Sequence, residues 1–154
     1  MKKIRVYVDT SVIGGCFDSE FQIWSNGILS DFQAGTFSLL LSELTDAEIQ
    51  DAPDEVKDIY REFRNYADDI IELSPEAIEL ADAYLNHNIL TINYRDDARH
   101  IAIATVASAD LLVSGNFKHV VHYEKIQMFN AVNIEMGYKQ ILIYTPREVT
   151  RYGG

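Results

Sequence analysis

Three carboxylates in this chain stand out by position. Asp9 ends the apolar run Ile4-Arg5-Val6-Tyr7-Val8, Glu48 follows a second apolar run at residues 37–42, and Asp97 opens an alanine-rich segment at residues 98–109. An ionised side chain at the end of a buried strand is costly unless water, hydroxyl groups or a cation compensate it. Carboxylates gathered in one pocket raise one another's proton affinity, and a hard divalent cation relieves the repulsion. Mg²⁺ suits such a pocket because it keeps several waters and needs few protein carboxylates; Mn²⁺ accepts similar oxygen ligands. Each carboxylate has a plainer reading. Asp9 alone can be a cap or turn residue, Glu48 competes with Glu43 and Asp46, and Asp97 competes with Asp96, which reads as a helix N-cap.

The surrounding pattern supplies elements that could bring the three together. Residues 4–8 read as a strand stopping at Asp9-Thr10-Ser11. Phe21, Trp24, Ile28, Leu29 and Phe32 recur at helical spacing over residues 19–34, and Gly35 is a stop signal. A second strand spans residues 37–42, and Thr45-Asp46-Ala47-Glu48 has capping-box spacing for the next helix. Pro53 starts a helix carrying Val56, Ile59, Tyr60 and Phe63, and Pro75 starts another after a short strand at residues 70–73. A loop at residues 86–94 leads to the alanine-rich helix. Residues 111–114 form a further buried strand, residues 122–136 a helix and residues 141–144 a last strand. Strands apolar throughout, alternating with helices, predict an α/β fold: a three-layer α/β/α sandwich with a mainly parallel central sheet, formed as one domain over residues 1–154. In such sheets the working crevice lies beyond the strand C-termini, which makes Asp9, Ser42 and Ser114-Gly115-Asn116 neighbours.

Charge and composition narrow the partners. The formal net charge is −11, and residues 43–82 alone hold 14 acids against Lys57, Arg61 and Arg64. That stretch reads as a solvated helical face or a docking surface for a basic partner. From Tyr94 onward seven Lys/Arg meet six acids, so this part can still face a polyanion. Cys16 is the one cysteine and reads as a small buried hydrophobe in a reducing, cytoplasmic setting. No apolar run approaches a signal peptide or a membrane span.

Four motifs in order resemble the PIN domain family, in particular the VapC-type ribonuclease toxins and their relatives. They are Val8-Asp9-Thr10-Ser11-Val12-Ile13, Thr45-Asp46-Ala47-Glu48-Ile49, residues 97–104 from Asp97 to Ala104, and residues 112–119 from Leu112 to His119. The resemblance implies metal-binding and catalytic roles for Asp9, Glu48 and Asp97, supporting hydroxyls at Thr10 and Ser114, and Mg²⁺ or Mn²⁺ as cofactor. Asn116 falls where members place a fourth acid or an asparagine, as a metal or substrate contact. His119 stands where an aspartate is common, and with Lys118 is a candidate substrate contact. The implied activity is metal-dependent hydrolysis of single-stranded RNA, with an antitoxin protein and a homodimeric partner as expected associates.

Other readings compete. A PIN-like module that binds RNA or protein without cutting would fit the amide at Asn116 and the acidic bulk of the chain. An aspartyl phosphatase also starts with a strand ending in Asp, but Ile13 replaces the threonine its motif needs. Gly14-Gly15 does not complete a dinucleotide-binding G-x-G-x-x-G. His100, three residues after Asp97, reads as a packed or hydrogen-bonded histidine rather than a ligand. Asn130 and Asn133 could line RNA, but read more simply as helix-end caps.

Overall fold

The computed structural model describes residues 2–151. Five short strands, β1 (Arg5–Val8), β2 (Ser38–Ser42), β3 (Ala67–Ile71), β4 (Leu111–Val113) and β5 (Leu142–Tyr144), form one sheet in the order β3-β2-β1-β4-β5. Every neighbouring pair is parallel. The chain winds outward from β1 through β2 to β3, then crosses back to place β4 on the other side of β1. That reversal opens a crevice between the C-terminal ends of β1 and β4.

Helices cover both faces, as the unbroken apolar strands require. Tyr7, Leu40, Leu112 and Ile143 point to one face, where α5 (Pro75–Asn86), α6 (Arg95–Val106) and α7 (Tyr123–Glu135) pack. Val6, Val8, Leu39, Leu41 and Val113 point to the other, against α1 (Thr10–Gly15), α2 (Gln22–Gln33), α3 (Glu43–Ile49) and α4 (Asp54–Asn65). A last turn, α8 (Pro146–Val149), rests on α2. The three-layer α/β/α architecture with a parallel sheet is therefore the observed one. Phe63 is fully buried on the second face and meets Phe32 edge-on, with ring centroids 6.4 Å apart. Phe63→Ala should cost about 3–5 kcal/mol by leaving a cavity, read as a lowered urea midpoint at constant slope.

Several boundaries differ from the sequence reading. The residues after Asp9 form a six-residue helix, α1, instead of a plain strand stop. Asp9 is its N-cap and accepts the Ser11 N–H at 3.1 Å. The cap of α3 is Ser42, which accepts the Thr45 N–H at 3.3 Å; Thr45 lies inside the helix because β2 runs into it without a loop. Asp96 is not an N-cap, since α6 already starts at Arg95 and Tyr94 holds the cap position. The third strand starts three residues earlier than the apolar run suggests and takes in the exposed Asp68 and Asp69 at a sheet edge, where its register with β2 shifts between Leu39 and Leu40. Asn130 and Asn133 cap nothing: Asn130 brackets Ile141, accepting its N–H at 2.7 Å and donating to its carbonyl at 3.0 Å, and Asn133 accepts the Tyr84 hydroxyl. Gly35 does follow α2, with the left-handed φ of 75° that glycine permits without steric cost.

Candidate active site

The crevice begins with Asp9, which is only 3% exposed. Its backbone N–H continues the parallel ladder to the Val113 carbonyl at 3.3 Å, so the side chain emerges where β1 and β4 part. Ser11 donates its hydroxyl to Oδ1, and Ser114, fully buried after β4, donates to Oδ2 at 2.6 Å. Ser11 Oγ also accepts the Gly115 N–H at 2.8 Å, which ties α1 to the β4 turn. Burial nevertheless pushes the Asp9 carboxyl above its ordinary pKa, against the lowering by His100 and the two serines.

Asp97 enters from the first turn of α6. Burial, and then the charges of Asp9 and Glu48, push its pKa up to about 6, opposed by His100. The Asn116 amide donates to its Oδ2 at 3.2 Å. Asn116 Oδ1 faces the other way and accepts the backbone N–H groups of Lys118 and His119 at 3.2 and 3.0 Å. In this orientation Asn116 presents hydrogens to the crevice and its lone pairs to its own loop. Lys118 is exposed. The His119 ring stacks on Tyr94 with centroids 3.7 Å apart, and its Nδ1 is buried without a hydrogen-bond partner.

Glu48 reaches the same crevice from α3. Thr10 donates its hydroxyl to Oε1 at 2.9 Å, and His100 Nε2 contacts the same oxygen. Burial raises the Glu48 carboxyl, but the His100 hydrogen bond and charge and the Thr10 hydroxyl outweigh it and hold the pKa below the usual value. Burial lowers the His100 pKa, but the bond to Glu48 and the charges of Asp9, Glu48 and Asp97 outweigh that and raise it above its ordinary value. The rivals of Glu48 are engaged elsewhere: Glu43 accepts the Leu73 N–H at 2.6 Å, and Asp46 accepts from Tyr60 and from Arg64 Nε at 3.2 Å.

Two site neighbours, Ser11 and Tyr7, go beyond the residues the sequence reading assigned roles, while His100, read as a packed or hydrogen-bonded histidine, is buried and hydrogen-bonded to Tyr7 and Glu48. Ser11 carried a local signal, since an Asp-x-Ser step lets the hydroxyl fold back on the carboxylate. Tyr7 carried none, because its partners lie on elements distant in sequence. The donor set is hard: three carboxylates that feel one another's charge, with no thiol, and only His100, already committed to Glu48 and Tyr7. That chemistry fits Mg²⁺ or Mn²⁺. As placed, no three His, Cys, Asp or Glu side chains among the described residues form a group that could hold a metal ion.

Neither a protein-family model nor a curated sequence relative matches the chain. Its fold is similar to that of a chain in the crystal structure of VapBC2 from Rickettsia felis bound to a DNA fragment from their promoter. The TM-score is 0.58 and the identity 12%, and the match covers 92% of this chain and 98% of that one. At this identity the likeness is one of fold alone, the parallel α/β sandwich described above. No helix among the described residues is long and apolar enough to cross a membrane.

Proposed function

We propose that this protein is a metal-dependent ribonuclease that hydrolyses phosphodiester bonds of single-stranded RNA. The observation that carries the reading is the buried Asp9 carboxylate, held by two seryl hydroxyls at the switch point of the sheet beside a second carboxylate, Asp97, whose proton affinity is raised. Such a pocket is unfavourable on its own and is relieved by a divalent cation. Asp9, Glu48 and Asp97 would hold the ion. When bound, Mg²⁺ or Mn²⁺ supplies an activated water and offsets charge on the phosphate. The chain's own groups do the rest. Ser11 and Ser114 orient Asp9, Thr10 and His100 orient Glu48, and the Asn116 amide is placed to donate to Asp97 or to a phosphate oxygen. Lys118 stands close enough in sequence to meet the RNA backbone, and His119 with Tyr94 offers a stacked ring pair at the same loop.

The solved neighbour, VapBC2, supports reading this chain as the toxin of a toxin–antitoxin pair, with an antitoxin protein as partner; a second copy of this chain is a further partner that the family resemblance implies. One observation favours a second reading, a module that binds without cutting. Glu48 Oε1 is already engaged by Thr10 and His100, and Asn116 offers no lone pair to the crevice. Incubation of the purified protein with a mixed RNA pool decides between them. Cleavage is expected with Mg²⁺ or Mn²⁺ and none with chelator; intact RNA under all conditions, with binding retained, would establish the inert module.

A further inference from the structure

Glu48 is reached by two donors, and both use the same oxygen. Oε1 accepts the Thr10 hydroxyl and the His100 Nε2–H, while Oε2 has no hydrogen-bond partner among the described residues. The donors are not free to turn. His100 is 2% exposed, and its Nδ1 lies 2.6 Å from the hydroxyl of the fully buried Tyr7, which in turn lies 2.8 Å from Ser42 Oγ. This chain fixes which nitrogen faces Glu48. In a neutral ring, Tyr7 donates its hydroxyl proton to Nδ1, leaving the ring hydrogen on Nε2. In the imidazolium both nitrogens donate, Nδ1 to the Tyr7 oxygen and Nε2 to Glu48, and Tyr7 turns its proton to Ser42. Nε2–H meets Glu48 in either state.

We propose that His100 is a positioning residue which, held by Tyr7 and acting with Thr10, leaves Glu48 a single free oxygen and so tilts the site toward a small octahedral cation over Ca²⁺. The inference rests on reading Asp9, Glu48 and Asp97 as a cation site. Ca²⁺ takes six to eight oxygens and gains from carboxylates that chelate through both, whereas Mg²⁺ takes near-octahedral geometry with few carboxylates and several waters. A Glu48 with one oxygen capped suits the second ion better than the first. Groups that orient a ligand in this way typically change metal affinity 10–100-fold.

The test is calorimetric titration of Mg²⁺ and of Ca²⁺ into the unaltered protein and into His100→Ala, His100→Gln, Thr10→Val and Tyr7→Phe, with folding checked by circular dichroism. His100→Ala should weaken Mg²⁺ binding roughly 10–100-fold and Ca²⁺ binding far less, so that the Mg²⁺ preference collapses. Thr10→Val should move it the same way, Tyr7→Phe less, and His100→Gln, which keeps an N–H near the position of Nε2, should largely preserve it. A purely structural role would lower stability and leave the ratio of the two affinities alone. The ¹⁵N signals of His100 in the cation-free protein give a separate reading, with Nε2 protonated. A folded His100→Ala or Thr10→Val with an unchanged Mg²⁺/Ca²⁺ ratio, or a bare Nε2, overturns the proposal. Failure of the unaltered protein to cleave RNA overturns the nuclease reading instead, and a protein that binds neither cation overturns both.

Discussion

Asp9→Asn should reduce RNA cleavage by at least about a thousandfold while leaving the fold intact. The stabilisation a bound cation gives a phosphoryl transition state is several kcal/mol, and each 1.36 kcal/mol is tenfold in rate. Asparagine has almost the same shape, so Ser11 can still donate to the remaining oxygen, and Ser114 can rotate its hydroxyl to accept from the new amide. What is lost is the negative charge at the meeting point of β1 and β4. The same substitution removes a carboxylate that burial already disfavours in its ionised form. The melting temperature of the cation-free variant should therefore equal or exceed that of the unaltered protein, the signature of a residue kept for chemistry at the expense of stability. Single-turnover cleavage beside a thermal melt checks both halves. A clean preparation that still cuts at the original rate removes Asp9 from the site.

The second large effect is a pH dependence that Mg²⁺ should reverse. Asp97 has a folded pKa of about 6, above its ordinary 3.8, so its share of stability is full below about pH 3.8 and is lost as pH rises through 6. Asp9, also raised, has the same sign. His100, raised above 6.5, contributes below that value and loses its contribution as pH climbs through its folded pKa. Glu48 has the opposite sign, and its contribution is lost only in acid, below its ordinary 4.5. The cation-free protein should thus melt higher near pH 5 than near pH 8. After discounting for solvent screening, Asp97 alone accounts for about 1 kcal/mol, a shift of roughly 2–4 °C in a chain of this size. Mg²⁺ at a hundredfold excess over its dissociation constant adds about 2.7 kcal/mol, and more strongly at pH 8 because protons compete for the same oxygens. Asp97→Asn should flatten both dependences. Melts over this pH range that rise with pH, or that ignore Mg²⁺, would remove the electrostatic argument for a cation site.

How far the sequence could be read depended on how local each interaction is. Strands β1, β2 and β4 were legible because burial on both faces leaves no polar alternation, and α2, α4 and α5 because their apolar stripes, punctuated by Gly35, Pro53 and Pro75, are long enough to carry a period. Helix α1 was not, since six residues containing Gly14 and Gly15 make too short a repeat. The N-cap of α3 was misplaced for a different reason. Thr45 and Glu48 have capping-box spacing, but β2 runs directly into α3, so the helix begins at Glu43 and Ser42 takes the cap. At the site, Asp9, Glu48 and Asp97 could be chosen because each sits at a predicted element boundary. The roles of Tyr7 and His100 could not, because a tyrosine and a histidine at apolar spacing look like core until their partners, 93 and 52 positions from His100, are in place.

The bond between Ser114 and Asp9 joins residues 105 positions apart. Any N-terminal fragment that stops short of β4 therefore has no partner for Asp9 Oδ2, no turn to bring Asn116 to Asp97, and no crevice at all. During synthesis the chain would carry its acids past the ribosome exit, beside messenger RNA, without a competent centre. The proposed cleavage therefore requires that β4 has docked beside β1.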